Sequence, residues 1–395
     1  MKTAIWLYLF MFVAIFDLHA QYPILSPFAL SLGATPSFIG LILGVYSITH
    51  LPGNLIAGYG VDKYGSKAFI IGSLIVAGIV LIFQSMVTDP WQLLFVRSIS
   101  GFVLAFLSPA CMSLLARIAR DRIQQGKLMA GNGMVHTLAS VVSPAAGAYL
   151  VSKLGFTTAF TVLGWGLIIT GVLAIFGVRE HRSSQTNDKG MISGEGAHSL
   201  PDRTDDGAGE TGVRPDGMPS IPWLFYSIPL ALSCSQGILF FELPLLKQSM
   251  GSILTSGVLF SLVSLGALVT LSLMFLNRVS PFSRTVFGSL ALALVFFGMA
   301  VGWPIPLHLS LFMLGMAKGV VYPAIASLLA AITSSKRYGR VFSLLSIAYS
   351  IGAFLGPLIA GHTRDMISPY FIAFFVLMLA LVMLPLRTFL RPEPA

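Results

Sequence analysis

Four charged side chains lie inside apolar segments of this chain that are long enough to cross a bilayer. They are Asp17, Glu242, Arg97 and Lys318. A charge at the centre of a bilayer costs at least ~2.5 kcal/mol on insertion scales, so we interpret these residues as functional candidates. A carboxylate can take up and release a proton, and a cation can bind an anionic group. The set therefore predicts a site for proton or substrate binding within the membrane.

Asp17 and Arg97 are expected at similar depths. Asp17 lies about 20 Å along the first segment, and Arg97 lies about 9 Å below the opposite end of the fourth. In a hydrocarbon layer of ~30 Å these positions coincide, so we predict an ion pair. One interpretation is that protonation of Asp17 releases the pair and couples proton movement to a conformational change. The other is a structural pair that only orients the two helices.

Three further side chains have two interpretations each. Lys318 lies about 17 Å into the tenth segment and needs a partner, either Glu242 or an anionic group of a substrate. Glu242 lies about 28 Å along the seventh segment from Trp223, which places it either in a cavity or at a solvated outer rim. His136 is expected near mid-depth of the fifth segment, as a hydrogen-bonded packing residue or as a proton relay.

The composition excludes a typical soluble enzyme. Of 395 residues, 55% are hydrophobic and 10% charged, whereas soluble domains carry about a quarter of their residues charged. Cys111 and Cys234 lie in apolar runs, so they indicate neither a disulfide framework nor a zinc site. No phosphate-binding loop, metal-ligand spacing or nucleophile–base arrangement is recognised, so we predict no enzymatic activity, no cofactor and no metal. Pumping would then depend on a proton or other ion gradient.

Twelve apolar runs of membrane-spanning length are recognised. They cover approximately residues 4–27, 36–58, 68–87, 91–116, 128–152, 156–178, 221–246, 253–276, 284–303, 306–332, 341–362 and 368–390. Most of the 24 lysines and arginines fall on the termini and on alternate connections, which predicts that both termini are cytoplasmic. The net charge of +9 is therefore explained by the basic residues on the cytoplasmic side, and we expect no nucleic-acid partner.

A polar stretch divides the chain into two similar halves. Residues 179–220 are rich in glycine and acidic residues and lack apolar periodicity, which predicts a flexible cytoplasmic linker between six-helix bundles at 1–178 and 221–395. A docking or regulatory role for the linker is the alternative. Residues 108–116 match 322–330 at most positions. Other equivalent pairs are Pro27 and Pro244, Gly40 and Gly257, and Pro144 and Pro357. Parallel repeats predict two bundles related by an axis along the membrane normal, with a substrate site between them.

The connection between the second and third runs carries the most specific motif. Its sequence, GYGVDKYGSK from residue 58, resembles the Gly-x-x-x-Asp-Arg/Lys-x-Gly-Arg/Lys-Arg/Lys signature of the major facilitator superfamily. The matching residues are Gly58, Asp62, Lys63, Gly65 and Lys67. Gly58 would permit close helix approach, Gly65 a tight turn, and Asp62 a helix cap or a pair with a basic residue. We interpret these residues as a gating loop; the alternative is an ordinary surface turn. Ser66 departs from the signature.

Two weaker motifs accompany it. Arg97 and Gly101 are similar to the family's Arg-x-x-x-Gly-x-Gly-x-Ala pattern, with Val103 in place of the second glycine. Pro144 and Gly147 partly match the Gly-Pro kink that family drug exporters carry in helix five. A cleaner version lies in the eleventh run, at Gly352, Gly356 and Pro357. We expect these residues to shape helix kinks and packing.

The resemblance implies an all-α protein with twelve transmembrane helices in two pseudo-symmetric six-helix bundles, most like the drug/proton antiporter branch. It further implies a secondary active transporter that works by alternating access, with proton-coupled efflux of small amphipathic molecules or secreted metabolites. The alternatives are uptake or exchange of an anionic metabolite bound by Arg97 and Lys318, and a membrane sensor or scaffold acting through the linker. Expected partners are a small-molecule substrate and the lipid bilayer of the cell membrane, and we expect a monomer.

Overall fold

The computed structural model describes residues 2–119, 121–178, 223–246, 252–273, 278–333 and 338–384, and every regular element in these ranges is helical. The α-helices are α1 (Lys2–Ala20), α2 (Tyr22–Ser31), α3 (Pro36–Tyr64), α4 (Ser66–Ser85), α5 (Pro90–Leu104), α6 (Leu107–Ile118), α7 (Arg122–Gly177), α8 (Ser227–Glu242), α9 (Ile253–Ser272), α10 (Pro281–Val301), α11 (Leu307–Ile332), α12 (Tyr338–Thr363) and α13 (Pro369–Val382). Short 3₁₀ turns at Trp223–Tyr226 and Leu243–Leu245 flank α8. The predicted linker, residues 179–220, lies outside the described residues.

The helices account for twelve membrane crossings. Ten helical segments in the described ranges are long and apolar enough to span a bilayer. One of them, Gln124–Gly177 within α7, has 54 residues, and it changes direction at Gly155, where φ is 79°. Since a crossing needs about 20 residues, α7 supplies two crossings. The shorter apolar helix α13 supplies the last one. The protein is therefore an integral membrane protein, as the apolar runs predict.

The helix of the first crossing is interrupted at Gln21, which the run at 4–27 did not predict. Helix α1 ends at Ala20 and α2 begins at Tyr22, with Gln21 between them. Pro23, in the first turn of α2, has no N–H to donate to the carbonyl of His19. The break therefore lies four residues after Asp17. The fourth crossing is similarly interrupted, between α5 and α6.

The motif loop forms a tight turn between α3 and α4. Gly65 adopts φ 89° and ψ 159°, a conformation that a residue with a Cβ rarely adopts, and its N–H donates to the carbonyl of Val61 at 3.0 Å. Asp62 lies in the last turn of α3, while Gly65 occupies the N-cap position of α4. Both predicted roles of Asp62, a helix cap and a pair with a basic residue, depend on its side chain. The side chain of Asp62 lies outside the described part of the structure.

The two halves of the chain meet through contacts that repeat the internal symmetry. A Cβ atom on Gly40 of α3 would collide with the carbonyl oxygen of Pro357 in α12. A Cβ atom on Gly257 of α9 would lie 2.5 Å from the carbonyl oxygen of Pro144 in α7. Gly40 and Gly257 are equivalent in the repeat, and so are the two prolines. The same backbone-to-backbone packing thus occurs at both seams between the halves.

These seams lie toward one end of the helices. Consecutive crossings run in opposite directions, so the turns at Gly33, Gly155 and Gly302 share one end, which we call the Gly33 end, and the turn at Gly65 lies at the other, the Gly65 end. Next to the Gly33 end, Ser37 Oγ of α3 donates to the carbonyl of Gly361 in α12 at 3.2 Å. The halves are therefore joined near the Gly33 end.

Candidate functional site

A cavity of about 260 Å³ lies between the two halves. It is lined by residues from the first crossing, α7, α8, α9 and α11. Its polar lining includes His19, His136, Gln236, Lys318 and Tyr322. Of the charged candidates, Lys318 lines the cavity, whereas Asp17, Arg97 and Glu242 do not.

Three aromatic rings cover the cavity on the side of the Gly33 end. Tyr22 stacks on Phe240 with ring centroids 3.9 Å apart, and Phe240 meets Phe260 edge-on at 5.6 Å. We call these three residues the aromatic roof. From Phe260 the lining continues along α9 to Leu271, one residue before that helix ends. At a rise of 1.5 Å per residue this is about 16 Å, so the cavity extends from the roof toward the Gly65 end.

Asp17 belongs to a buried polar network within the first half. Gln21 Nε2 donates to both carboxylate oxygens of Asp17, at 3.1 and 3.0 Å. Gln21 Oε1 accepts from Arg97 Nη1 at 3.0 Å and from Gln84 Nε2 at 3.2 Å. The Arg97 guanidinium also lies 4.7 Å from the ring centroid of Tyr46. Four crossings, the first to the fourth, thus contribute to one network around a single amide.

The predicted direct pair between Asp17 and Arg97 is replaced by an indirect one. Their depths agree with the prediction, and both are buried, with 3% and 4% of their surfaces exposed. The side chain of Gln21, however, bridges them. Gln21 lies one helical turn beyond Asp17, and residues four apart project from the same helix face. Because Gln21 carries no charge, the charged residues alone do not reveal it; the sequence signal is an amide four residues after Asp17 in an apolar run.

Lys318 is the charged residue that remains facing the cavity. Its Nζ lies 5.8 Å from the ring centroid of Tyr322. No carboxylate in the described ranges lies within ion-pair distance of it, and the proposed salt bridge with Glu242 is wrong because Glu242 has another partner. Beside Lys318, the Tyr322 hydroxyl donates to Gln236 Oε1 at 2.9 Å.

Glu242 pairs with a cation near the Gly33 end. Arg364 Nε lies 3.1 Å from Glu242 Oε2, and Arg364 Nη2 donates to the carbonyl of Leu245 at 2.8 Å. The carboxylate side chain is 8% exposed and that of Arg364 is 24% exposed. Glu242 therefore occupies neither the cavity nor a solvated rim; it fixes the end of α8 to the end of α12.

Breaking this pair on one side is expected to destabilise the protein. Arg364→Met leaves the Glu242 carboxylate buried without a cation, and we expect a loss of about 1–3 kcal/mol in the free energy of unfolding, reduced from the fully buried case because Arg364 is partly exposed. The double variant Glu242→Gln/Arg364→Met should recover most of the loss. Thermal unfolding of the purified variants measures both, and equal losses in the single and double variants would contradict an ion-pair origin.

His136 lies at the cavity and lacks the predicted packing role. Its side chain is exposed toward the cavity, and its ring meets that of His19 edge-on at 5.7 Å. In the described ranges it makes no hydrogen bond, so its interpretation as a hydrogen-bonded packing residue is wrong. His19 differs, since its Nδ1 lies 2.9 Å from the carbonyl of Ile15. A carbonyl only accepts, so Nδ1 donates and Nε2 is left as the acceptor.

The motif glycines lie at close helix contacts. A Cβ on Gly101 would collide with the carbonyl of Tyr46, and one on Gly147 would lie 2.5 Å from the carbonyl oxygen of Ala20. Gly352 and Gly356 bring the backbone of α12 against that of α8, at Leu230 and Cys234. Pro357, one residue farther, packs its ring 2.6 Å from the Cβ position of Gly237.

The basic residues of the motif turn lie at the Gly65 end. Lys63 Nζ lies 5.2 Å from the ring centroid of Tyr64 and 5.8 Å from that of Tyr59. Lys67 belongs to the first turn of α4, and Gly58 to α3. The turn thus places positive charge beside exposed aromatic rings, at the opposite end of the helices from the two seams.

Comparison with known proteins agrees with this architecture. Residues 7–308 and 301–395 match the family model described as Major Facilitator Superfamily. A multidrug resistance protein, MdtG, of Klebsiella pneumoniae is 24% identical over 370 residues, covering 90% of this chain and 85% of its own length.

Two solved structures share the fold. A bacterial homologue of the human lysosomal transporter Spinster, in an inward-facing and occupied conformation, aligns with a TM-score of 0.75 and 16% identity, covering 99% of this chain and 98% of its own. The nucleoside transporter NupG, solved as a point mutant, aligns with a TM-score of 0.70 and 14% identity over 98% and 99% of the two chains.

Proposed function

The chain belongs to the major facilitator superfamily and is a membrane transporter, and we propose that it works by alternating access, exporting small amphipathic molecules in exchange for protons. Each of the two seams contains a glycine packed on the backbone carbonyl of a proline, an uncharged contact that can separate without moving a charge. The cavity extends away from the seams. This arrangement supports rocking of the halves around a central site.

The charge distribution supports an orientation. The turn at the Gly65 end carries Lys63 and Lys67, and by the positive-inside rule this end is cytoplasmic. With that orientation the cavity extends toward the cytoplasm. An exporter loads its substrate from that side.

The network around Gln21 is the single observation that carries the proposal of proton coupling. Asp17 is buried, and its carboxylate is connected to the Arg97 guanidinium through one amide. Protonation of Asp17 removes the negative charge that Gln21 Nε2 contacts, so the attraction that holds the amide between the two charged groups weakens. A proton taken up at Asp17 would thereby rearrange four crossings of the first half.

Export of amphipathic compounds is supported by the likeness to MdtG, which is named a multidrug resistance protein, and by the aromatic roof over the cavity. Aromatic rings bind planar apolar groups without fixed hydrogen-bond geometry.

Export is tested by measuring dye accumulation in cells. Cells that express the protein should accumulate a lipophilic fluorescent dye to a lower level than cells with an empty vector, because outward transport opposes passive entry. A protonophore should abolish the difference within the period of the measurement. Higher accumulation than in the control, or a difference that persists after the proton gradient collapses, would contradict proton-coupled export.

Uptake or exchange of an anionic metabolite is the second candidate, and Lys318 favours it. A cation that faces the cavity without a carboxylate partner can bind an anionic group. Arg97, the other residue assigned to this role, does not line the cavity. Growth on an anionic carbon source only when the protein is expressed would support uptake over export.

A further inference from the structure

We infer that the cavity is a binding site for small aryl acids, with the acid group held at Lys318 and the aromatic body under the roof formed by Tyr22, Phe240 and Phe260. This inference rests on the proposed function in taking the cavity as the substrate site, and it specifies the charge of the substrate. It does not depend on the direction of transport or on the coupling ion.

Among the described residues, the fixed charges inside the membrane have a counter-charge except at Lys318. Asp17 and Arg97 share one network through Gln21. Glu242 and Arg364 form a pair of their own near the Gly33 end. In the described part of the chain, the Lys318 ammonium is the fixed charge inside the membrane that has no counter-charge. An ammonium in a low-dielectric cavity gains most from an anion that enters with the substrate.

The groups around Lys318 suit a ligand group that accepts hydrogen bonds. Gln236 Oε1 already accepts from the Tyr322 hydroxyl, so the Gln236 amide directs its Nε2 hydrogens elsewhere. His136 lines the same cavity, and no carboxylate does so among the described residues. A carboxylate on the substrate accepts from an ammonium and from an amide, whereas a substrate ammonium would face a like charge with no acceptor of opposite sign.

The size and the roof restrict the rest of the ligand. Drug-sized ligands occupy pockets of roughly 300–1,000 Å³, and this cavity measures about 260 Å³. A molecule with one or two fused rings fits this volume. Because Phe240 meets Phe260 edge-on and stacks on Tyr22, the roof offers ring faces and edges to a planar aromatic body.

The test is calorimetric binding to the purified full-length protein in lipid nanodiscs, without any ion gradient. Three ligands of nearly equal shape are compared: 1-naphthaleneacetate, its primary amide and 2-(1-naphthyl)ethylamine. We expect the acid to bind about tenfold more tightly than the amide, and the amine to bind weakest, since its charge has the same sign as Lys318.

Variants separate the charge from the shape of the site. Lys318→Gln should reduce the affinity for the acid to that for the amide, and Lys318→Arg should keep the preference for the acid. Lys153→Gln, at an exposed lysine near the Gly33 end, is the matched control and should leave all three affinities unchanged. Should Lys318→Gln fail to fold, the ligand series on the wild type and on Lys318→Arg still decides the question.

Equal or tighter binding of the amine, binding of none of the three ligands, or an unchanged preference in folded Lys318→Gln would each overturn the inference. Because no gradient is applied, the outcome is independent of proton coupling. Preference for the acid together with gradient-independent transport would reject the proposed function and keep this inference. Proton-driven export of amines alone would do the reverse.

Discussion

Replacing Asp17 by asparagine is expected to abolish proton-driven transport while leaving substrate exchange intact. Asparagine has nearly the same shape and still offers an oxygen to Gln21 Nε2, so the buried network can persist. It carries no charge and cannot take up or release a proton. The Arg97 guanidinium then interacts with a permanently neutral neighbour, which corresponds to the protonated state of the wild type.

Transport assays in proteoliposomes distinguish loss of proton coupling from loss of substrate transport. With an imposed proton gradient, Asp17→Asn should move substrate no faster than empty liposomes. With substrate on both sides and no gradient, its exchange rate should stay within about twofold of wild type, since the cavity is unaltered. Asp89→Asn is the matched control, because Asp89 lies in an exposed turn and caps α5 through the backbone N–H of Trp91, a role that asparagine also fills. Full gradient-driven transport by Asp17→Asn would reject Asp17 as the coupling site.

Adding one methyl group at Gly40 is expected to weaken closure of the Gly33 end. The Cβ of an alanine there would collide with the backbone carbonyl of Pro357, and backbone cannot rotate away as a flexible side chain can. Overpacking of this kind costs about 1–3 kcal/mol. If that cost falls on the joined state alone, the equilibrium between joined and separated halves shifts by roughly 5- to 150-fold.

Spin-label distances measure this shift directly. Labels at Ser31 and Met366, both exposed near the Gly33 end, should give longer and broader distances in Gly40→Ala than in the parent protein. Gly72→Ala is the matched control, because a Cβ at Gly72 in α4 has no atom within 4 Å. Identical distance distributions in the two alanine variants would show that the seam tolerates the added atom.

The fold was predictable because its signals are local. Long apolar runs predict crossings whatever their partners are, and the equivalence of the repeated glycines and prolines is visible in the sequence itself. The contacts of Gly40 with Pro357 and of Gly257 with Pro144 cannot be derived from the sequence, because they depend on how the helices pack. The break at Gln21 was missed because the run at 4–27 is apolar on both sides of it, although Pro23 was a signal for a lost backbone hydrogen bond.

The site was predicted only in part, because partners depend on three-dimensional packing. The estimated depths correctly place Asp17 and Arg97 at the same level. The bridging residue Gln21 is not predicted, because a neutral amide does not stand out in a search for charged residues. The alternative of a bridge between Lys318 and Glu242 is wrong, because Glu242 pairs with Arg364. Arg364 lies between the apolar runs at 341–362 and 368–390, so a search for charges within the runs does not find it, and its position just after α12 brings it to the end of α8.

The interruption at Gln21 separates a short helix, α2, from the rest of the first crossing. Gln21 joins Asp17 to Arg97, and the next residue, Tyr22, begins α2 and belongs to the aromatic roof. Helix α2 has 10 residues and is thus about 15 Å long. A rotation of about 10° at Gln21 displaces Ser31, at its far end, by roughly 2.6 Å. If a change of charge at Asp17 rotates α2 about Gln21, as the proposed coupling requires, the displacement is greatest at the Gly33 end.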